Sequence, residues 1–215
     1  MDSDKKINDL RTLLRHLYQD NQERLLFHGW HHINFVSKKA KEFSKSIGAN
    51  TFIVETAALV HDLNYIVEIN SEPEAGSELR ASMLKKSNYT DEEIMQIENV
   101  IIESHLANRG ADGSKEMQAL ADADTLFKAL PITPILFASK YIEQNKVNIK
   151  KLSQKVILEQ KPLIEQDLYF YTDIAKQKYL HWAKVNLNLW INVEEALEDD
   201  DIQEVISIAQ DNNIL

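Results

Sequence analysis

Three stretches of this chain set His or Asp against helix ends or buried helices: His28-Gly29-Trp30-His31-His32, His61-Asp62 and Asp122-Ala123-Asp124. The middle pair follows an almost unbroken apolar stretch, Phe52-Ile53-Val54 and then Ala57-Ala58-Leu59-Val60. A helix that is apolar all round is a buried helix. An imidazole and a carboxylate at the end of such a helix need charged or hydrogen-bonding partners. A divalent cation satisfies both, because imidazole and carboxylate are both ligands for first-row metals. On these residues alone, a His-Asp dipeptide that merely caps a core helix is the other reading. The chain has no cysteine, so any metal must sit on His, Asp or Glu. Imidazole and carboxylate ligands suit Mn, Fe, Co, Ni or Zn, with Mg as the hard-cation option. Such an ion can acidify a water and polarise a phosphorus centre.

The elements that must position these residues read as helices. Gly numbers 5 and Pro 4, too few for the many tight turns of a β-rich fold. Residues 4–27 show apolar positions at helical spacing (Ile7, Leu10, Leu13, Leu14, Leu17, Tyr18). A second helix runs from His31 to Ile47, and Gly48 is its natural stop. Asn50 or Thr51 caps the buried helix that ends at His61-Asp62. Asn70 to Ser77 is a loop by composition, followed by a helix to about Lys86. Thr90-Asp91-Glu92-Glu93 is a capping box that opens a helix ending near His105. A loop over 108–113 precedes a helix from Ser114 to Leu130 that carries Asp122 and Asp124. Thr133-Pro134 reads as a cap with Pro at the first helical position. Further helices are expected over 134–146, 148–160, 163–191 and 200–211. No stretch alternates like a strand. The expected architecture is all-α: one domain over 1–192 and an acidic helical extension over 193–215, where Glu194, Glu195, Glu198 and Asp199 to Asp201 form a solvated end.

The formal net charge is -10, which repels phosphate backbones at long range and argues against a nucleic-acid polymer as partner. A small phosphorylated substrate stays compatible if a cation reverses the local field. No window reaches the roughly 18 apolar residues of a membrane span. The first residues lack a signal-peptide apolar region, and with the absence of Cys this places the protein in the cytoplasm as an expectation, with no membrane partner. A homodimer is compatible with the sequence but not specified by it.

The ordered set His32, His61-Asp62, Asp124 resembles the H…HD…D signature of the HD superfamily of metal-dependent phosphohydrolases. The flanking residues share the resemblance. His28 to Val36 is similar to the family's H-x-x-x-H-x-x-x-V opening, Ala57 to Asp62 to its A-x-L-x-H-D block, and Ala121 to Leu126 to its D-A-D-x-L block. Tyr65, with Glu74 and Ser77 downstream, looks like a bacterial subgroup with an H-D-x-x-Y…E-x-x-S pattern. The likeness covers about residues 25–130, and no motif matches the C-terminal third. It implies an HD-domain-like helical bundle, one divalent metal ion on His32, His61, Asp62 and Asp124, and attack of a metal-activated water on a phosphate ester or anhydride. The A-D-x-L spacing selects Asp124 over Asp122, and on a helix these two point about 200° apart.

Around that implied centre several side chains have candidate roles. Asp62 could take the proton of the attacking water while ligating. Some family members carry an acidic residue three positions after the HD pair; here that position is Tyr65, which leaves Glu68 and Glu74 as the other nearby carboxylates. His105 could donate to a phosphate or ligate a second ion, and as the only His between the pair and Asp124 it favours a single ion. His28 either orients a ligand from behind or simply enters the helix. Arg80, Arg109 and Lys128 are candidate phosphate grips, with Arg109 in a Gly-flanked loop suited to mobile contacts. Lys128, four after Asp124, also reads as a plain ion pair. Tyr65 and Trp30 could stack on a base or pack in the core. The resulting expectation is an enzyme acting on a small phosphorylated metabolite, above all a nucleotide. A catalytically silent, metal- and nucleotide-binding regulatory module is the alternative.

Overall fold

A computed structural model describes residues 2–212 and 214. Among these, every regular element is helical, as expected for an all-α bundle. Helix α1 (Ser3–Asp20) buries Ile7, Leu10, Leu14 and Tyr18. It stops at Asp20 rather than continuing to residue 27. Asn21 closes it by donating from its side-chain amide to the Leu17 carbonyl at 2.9 Å, and a turn follows. Helix α2 (Trp30–Ile47) starts after Gly29 and ends at Gly48, whose φ of 66° lies in the left-handed region that favours glycine. Helix α3 (Thr51–Val60) is capped by the Asn50 side chain, and every residue from Ile53 to Val60 is buried.

The middle of the chain continues through α4 (Asn64–Val67), a 3-10 turn over Pro73–Gly76, α5 (Ser77–Lys86) and α6 (Asp91–Ser104). The capping box of α6 is formed in both directions: the Thr90 hydroxyl accepts from the Glu93 amide, and the Glu93 carboxylate accepts from the Thr90 amide. Helix α7 (Lys115–Ala129) is capped by Ser114. Helices α2, α3 and α7 pack on one another, with α1 and α6 also against α3. One motif block lies on or at the end of each of these three mutually packed helices. That arrangement brings distant residues to one point.

The last third comprises α8 (Thr133–Asn145), α9 (Ile149–Glu165), α10 (Asp173–Ala196) and α11 (Asp200–Asp211). Two boundaries differ from expectation. Pro162 lies inside the last turn of α9 and does not separate two helices. Only the bond to the carbonyl of residue 158 is lost there, and Leu158 sits on the open side, 76% exposed. The break falls instead at 166–172, where Thr172 caps α10. Helix α10 also runs past the expected domain boundary at 192, because Trp190 and Leu197 are still buried. At the end of α8's entry, Thr133 is helical and donates its hydroxyl to the Phe127 carbonyl at 2.6 Å, so it ties α8 to α7 instead of capping.

Arg80, read from sequence as a phosphate grip, is fully buried and already occupied. It donates to the Pro73 carbonyl at 2.7 Å and forms a two-pronged ion pair with Glu98. This clamp ties the 3-10 turn to α5 and α6. Gly76 sits at its centre, where an added Cβ would fall 2.6 Å from both the Asn64 amide nitrogen and Arg80 Nη1. Gly76→Ala is therefore expected to destabilise the fold by about 1–3 kcal/mol, read as a lower midpoint in thermal or urea melts. Burial raises the pKa of Glu98, but Arg80 and Ser77 outweigh it and hold the carboxyl below its ordinary 4.5. A lowered folded-state pKa means that this stabilisation is complete above pH 4.5 and lost as pH falls below it. Glu98→Gln should flatten the acid limb of a melting-temperature profile taken between about pH 6 and 3.

Candidate metal centre

The C-terminal end of α3 carries the first pair of groups. Helix C-termini bear partial negative charge, so a cation is favoured there. His61 Nδ1 lies 2.9 Å from the Ala58 carbonyl, which can only accept, so Nδ1 carries the proton. That leaves His61 Nε2 with a lone pair, and it faces His32 Nε2 of α2 at 3.3 Å. Asp62 stands between them, with Oδ1 3.3 Å from His61 Nε2 and Oδ2 3.2 Å from His32 Nε2. One ligand atom from each of His32, His61 and Asp62 lies within 4.8 Å of the others, a grouping that could hold a metal ion.

Asp124 of α7 stands beside this group, its Oδ1 3.4 Å from His32 Nε2 and 3.9 Å from His61 Nε2. Its other oxygen receives Lys128 Nζ at 3.1 Å. Asp122 faces the opposite way. It accepts hydrogen bonds from the Tyr171 amide at 2.7 Å, the Thr172 amide at 2.8 Å and the Thr172 hydroxyl at 2.7 Å. Burial pushes the Asp122 carboxyl up to about 6 against these three donors. The two aspartates thus divide between the helix faces: Asp124 serves the cluster, and Asp122 anchors the start of α10.

The donor set fits a cation on two counts. Both carboxylates are held ionised. Burial opposes the charge on Asp62, but in the metal-free site His61 and His32, when protonated, outweigh it and keep its pKa below the usual carboxylate range. Burial likewise opposes Asp124, and Lys128, His32, His61 and Arg109 together overcome it. Second, Asp62 Oδ2 is buried with no donor aligned on it among the described residues. Unsatisfied buried polar atoms cost about 1–3 kcal/mol each, and an ion among His32, His61 and Asp62 would relieve the carboxylate.

A cavity of about 480 Å³ opens onto the cluster. Its lining includes His61, Asp62, Asp124, Tyr65, His28, His105, Arg109 and Lys128, whereas His32, 1% exposed, is not among the lining residues. Their roles there differ. Arg109 is not a mobile contact: its side chain is 4% exposed and spent on the protein. Nε donates to the Ser104 carbonyl at 2.9 Å and Nη1 to the Thr125 hydroxyl at 2.6 Å, with Nη2 3.9 Å from Asp124. It braces α6 against α7 and adds positive potential behind Asp124. His105 lies at the rim, its Nδ1 3.7 Å from a Glu72 carboxylate oxygen. Tyr65 stacks on His28 with ring centroids 3.9 Å apart and planes 18° apart. Trp30 packs against Tyr18, as its core reading expects. Glu68 and Glu74 are exposed and do not line the cavity, whereas Glu72 does.

The opposite wall comes from the unmatched C-terminal third: Ala138 and Tyr141 approach from α8, and Lys155 and Glu159, ion-paired four residues apart, from α9. Sequence reading missed these residues. Amphipathic spacing gives the helices, but nothing local marks which of their polar residues turn inward.

No protein-family model matches the chain. A segment of 59 residues is 39% identical to the uncharacterized protein YpgQ of Bacillus subtilis, and it spans 27% of each chain. The chain therefore matches only about a quarter of the length of this curated relative. The crystal structure of Bacillus subtilis YpgQ superimposes with a TM-score of 0.60 at 21% identity, covering 93% of this chain and 97% of that one. The Lin1889 protein of Listeria innocua gives a TM-score of 0.57 at 22% identity over the same shares. This helical bundle is thus an arrangement already seen in solved structures. Among the described residues, no helix is long and apolar enough to cross a membrane.

Proposed function

We propose that the chain is a metal-dependent phosphohydrolase of the HD type, acting on a small phosphorylated metabolite of the nucleotide class. One observation carries this reading: two imidazole Nε2 atoms 3.3 Å apart meet a buried, ionised Asp62 at the mouth of a roomy cavity. His32, His61 and Asp62 would hold one divalent ion, with Asp124 as the fourth ligand. Bound there, the ion supplies a Lewis acid and an acidified water, the equipment for attack at phosphorus. The chain's own residues do the rest. Asp62 and Asp124 bring the negative charge that a cation requires. Ala58 fixes the His61 tautomer through its carbonyl. Lys128, paired with Asp124 and lining the cavity, is placed to receive a phosphate oxygen. Tyr65 offers a flat ring beside it.

The test is elemental analysis of the purified protein joined to a phosphate-release screen over nucleotides and sugar phosphates with Mn²⁺, Co²⁺, Ni²⁺, Zn²⁺ and Mg²⁺. About one ion per chain and metal-dependent release of phosphate or pyrophosphate are expected, with little activity on long DNA or RNA. Tight nucleotide binding by metal-loaded protein with no turnover on any substrate would replace the enzyme with a regulatory module.

A further inference from the structure

Gln144 sits at the end of α8, 8% exposed, and reaches across to the segment that precedes α2. Its Oε1 accepts two backbone N–H groups, from Phe27 at 2.8 Å and from His28 at 3.2 Å. An amide whose oxygen is fixed by two donors must present its NH₂ on the other side. That NH₂ lies 2.7 Å from His28 Nδ1. Nδ1 is therefore the acceptor of this bond, and a neutral His28 carries its proton on Nε2.

The remaining contacts hold the ring in that state. Tyr65 lies flat against it at 3.9 Å, and the edge of the His32 ring approaches with a centroid distance of 5.9 Å. His28 lines the cavity, and its Nε2 has no hydrogen-bond partner among the described residues. Asp62 and Asp124 are near enough to act on it electrostatically, yet neither carboxylate comes within salt-bridge distance. The chain thus devotes a buried glutamine from a distant helix to aiming one N–H donor at the cavity beside the cluster. If the imidazole served only to pack, no such fixing of its proton would be needed.

We propose that His28 is a neutral hydrogen-bond donor to an anionic oxygen of the bound substrate, with Gln144 as the positioning residue that fixes its Nε2–H tautomer. This rests on the phosphohydrolase reading for the nature of the oxygen, a phosphoryl oxygen, but not for the tautomer.

The tautomer is read on metal-free protein labelled with ¹⁵N-histidine, by two-bond proton–nitrogen correlation at neutral pH. Wild type should show His28 protonated at Nε2 alone. Gln144→Glu, whose carboxylate can only accept, should move the proton to Nδ1. The donor role is read with inorganic phosphate as probe, titrated into zinc-loaded protein. His28→Phe keeps the ring on Tyr65 and removes the donor; phosphate should bind about tenfold more weakly, with zinc content unchanged. Gln144→Met should weaken phosphate severalfold in the wild-type background and have no further effect on top of His28→Phe. A wild-type His28 protonated at Nδ1 would overturn the proposal, as would wild-type phosphate affinity in His28→Phe. Should the variants fail to fold, the wild-type protein still decides: adding phosphate must shift the His28 Nε2–H resonance. A chain that released phosphate from no substrate would refute the enzyme reading while leaving both measurements intact.

Discussion

Asp122→Ala is expected to cost about 3–5 kcal/mol of stability while leaving metal content near that of wild type. The carboxylate receives two backbone amides and a hydroxyl from residues 171 and 172, the two from Thr172 buried and the one from Tyr171 part-buried. Removing it strands those donors, and each buried orphan costs about 1–3 kcal/mol. Folded domains have only about 5–15 kcal/mol in hand. The loss should appear as a markedly lower denaturation midpoint at unchanged slope. Elemental analysis on the folded fraction at low temperature separates the two roles. If Asp122→Ala lost the ion and Asp124→Ala kept it, the assignment of the two faces of α7 would be reversed.

The second large effect is expected from His61→Ala. It removes the Nε2 that faces His32 at 3.3 Å, and with it one of the three groups that converge most closely. Metal content should fall from about one ion per chain to background, and metal-dependent phosphate release should vanish with it. The same variant tests the linkage to folding. An ion bound only by the folded state raises stability by about 2.7 kcal/mol at a free concentration a hundred times its Kd. Wild type should therefore melt higher with added Mn²⁺ or Zn²⁺, and His61→Ala should show no such rise. Full metal occupancy in His61→Ala would remove this residue from the site.

Much of this was legible in sequence because the signals were local. The apolar run of α3 announces burial by itself, and the Thr90–Glu93 box and the Gly48 stop are short-range chemistry. The resemblance implies that His32 and His61-Asp62 meet, and in the structure these three groups lie together. What escaped notice depends on distant partners. Arg80 and Arg109 look like free cations until their acceptors, Glu98, Pro73, Ser104 and Thr125, are placed around them. Gln144 meets His28 across 116 residues, and no window of sequence contains both. The end of α1 and the break before α10 depart from the periodic pattern because a side-chain bond from Asn21 and a tolerated Pro162 override it.

Helix α8 buries only two of its residues, Thr133 at its start and Gln144 near its end, and both are spent on hydrogen bonds to other elements. Between these two anchors the helix meets the rest of the protein through Phe137 and Tyr141, which touch His31, Phe27 and His28, and it leaves Ile135 and Leu136 to solvent. A wall attached at its ends can be rewritten in its middle. Under the proposed function, substitutions at Ala138 or Tyr141 would reshape the space facing the cluster with little penalty to the packed α2–α3–α7 core, so that selectivity could change while His32, His61 and Asp62 stay put. For laboratory evolution of new selectivity, α8 is the segment to randomise, with Thr133 and Gln144 held fixed.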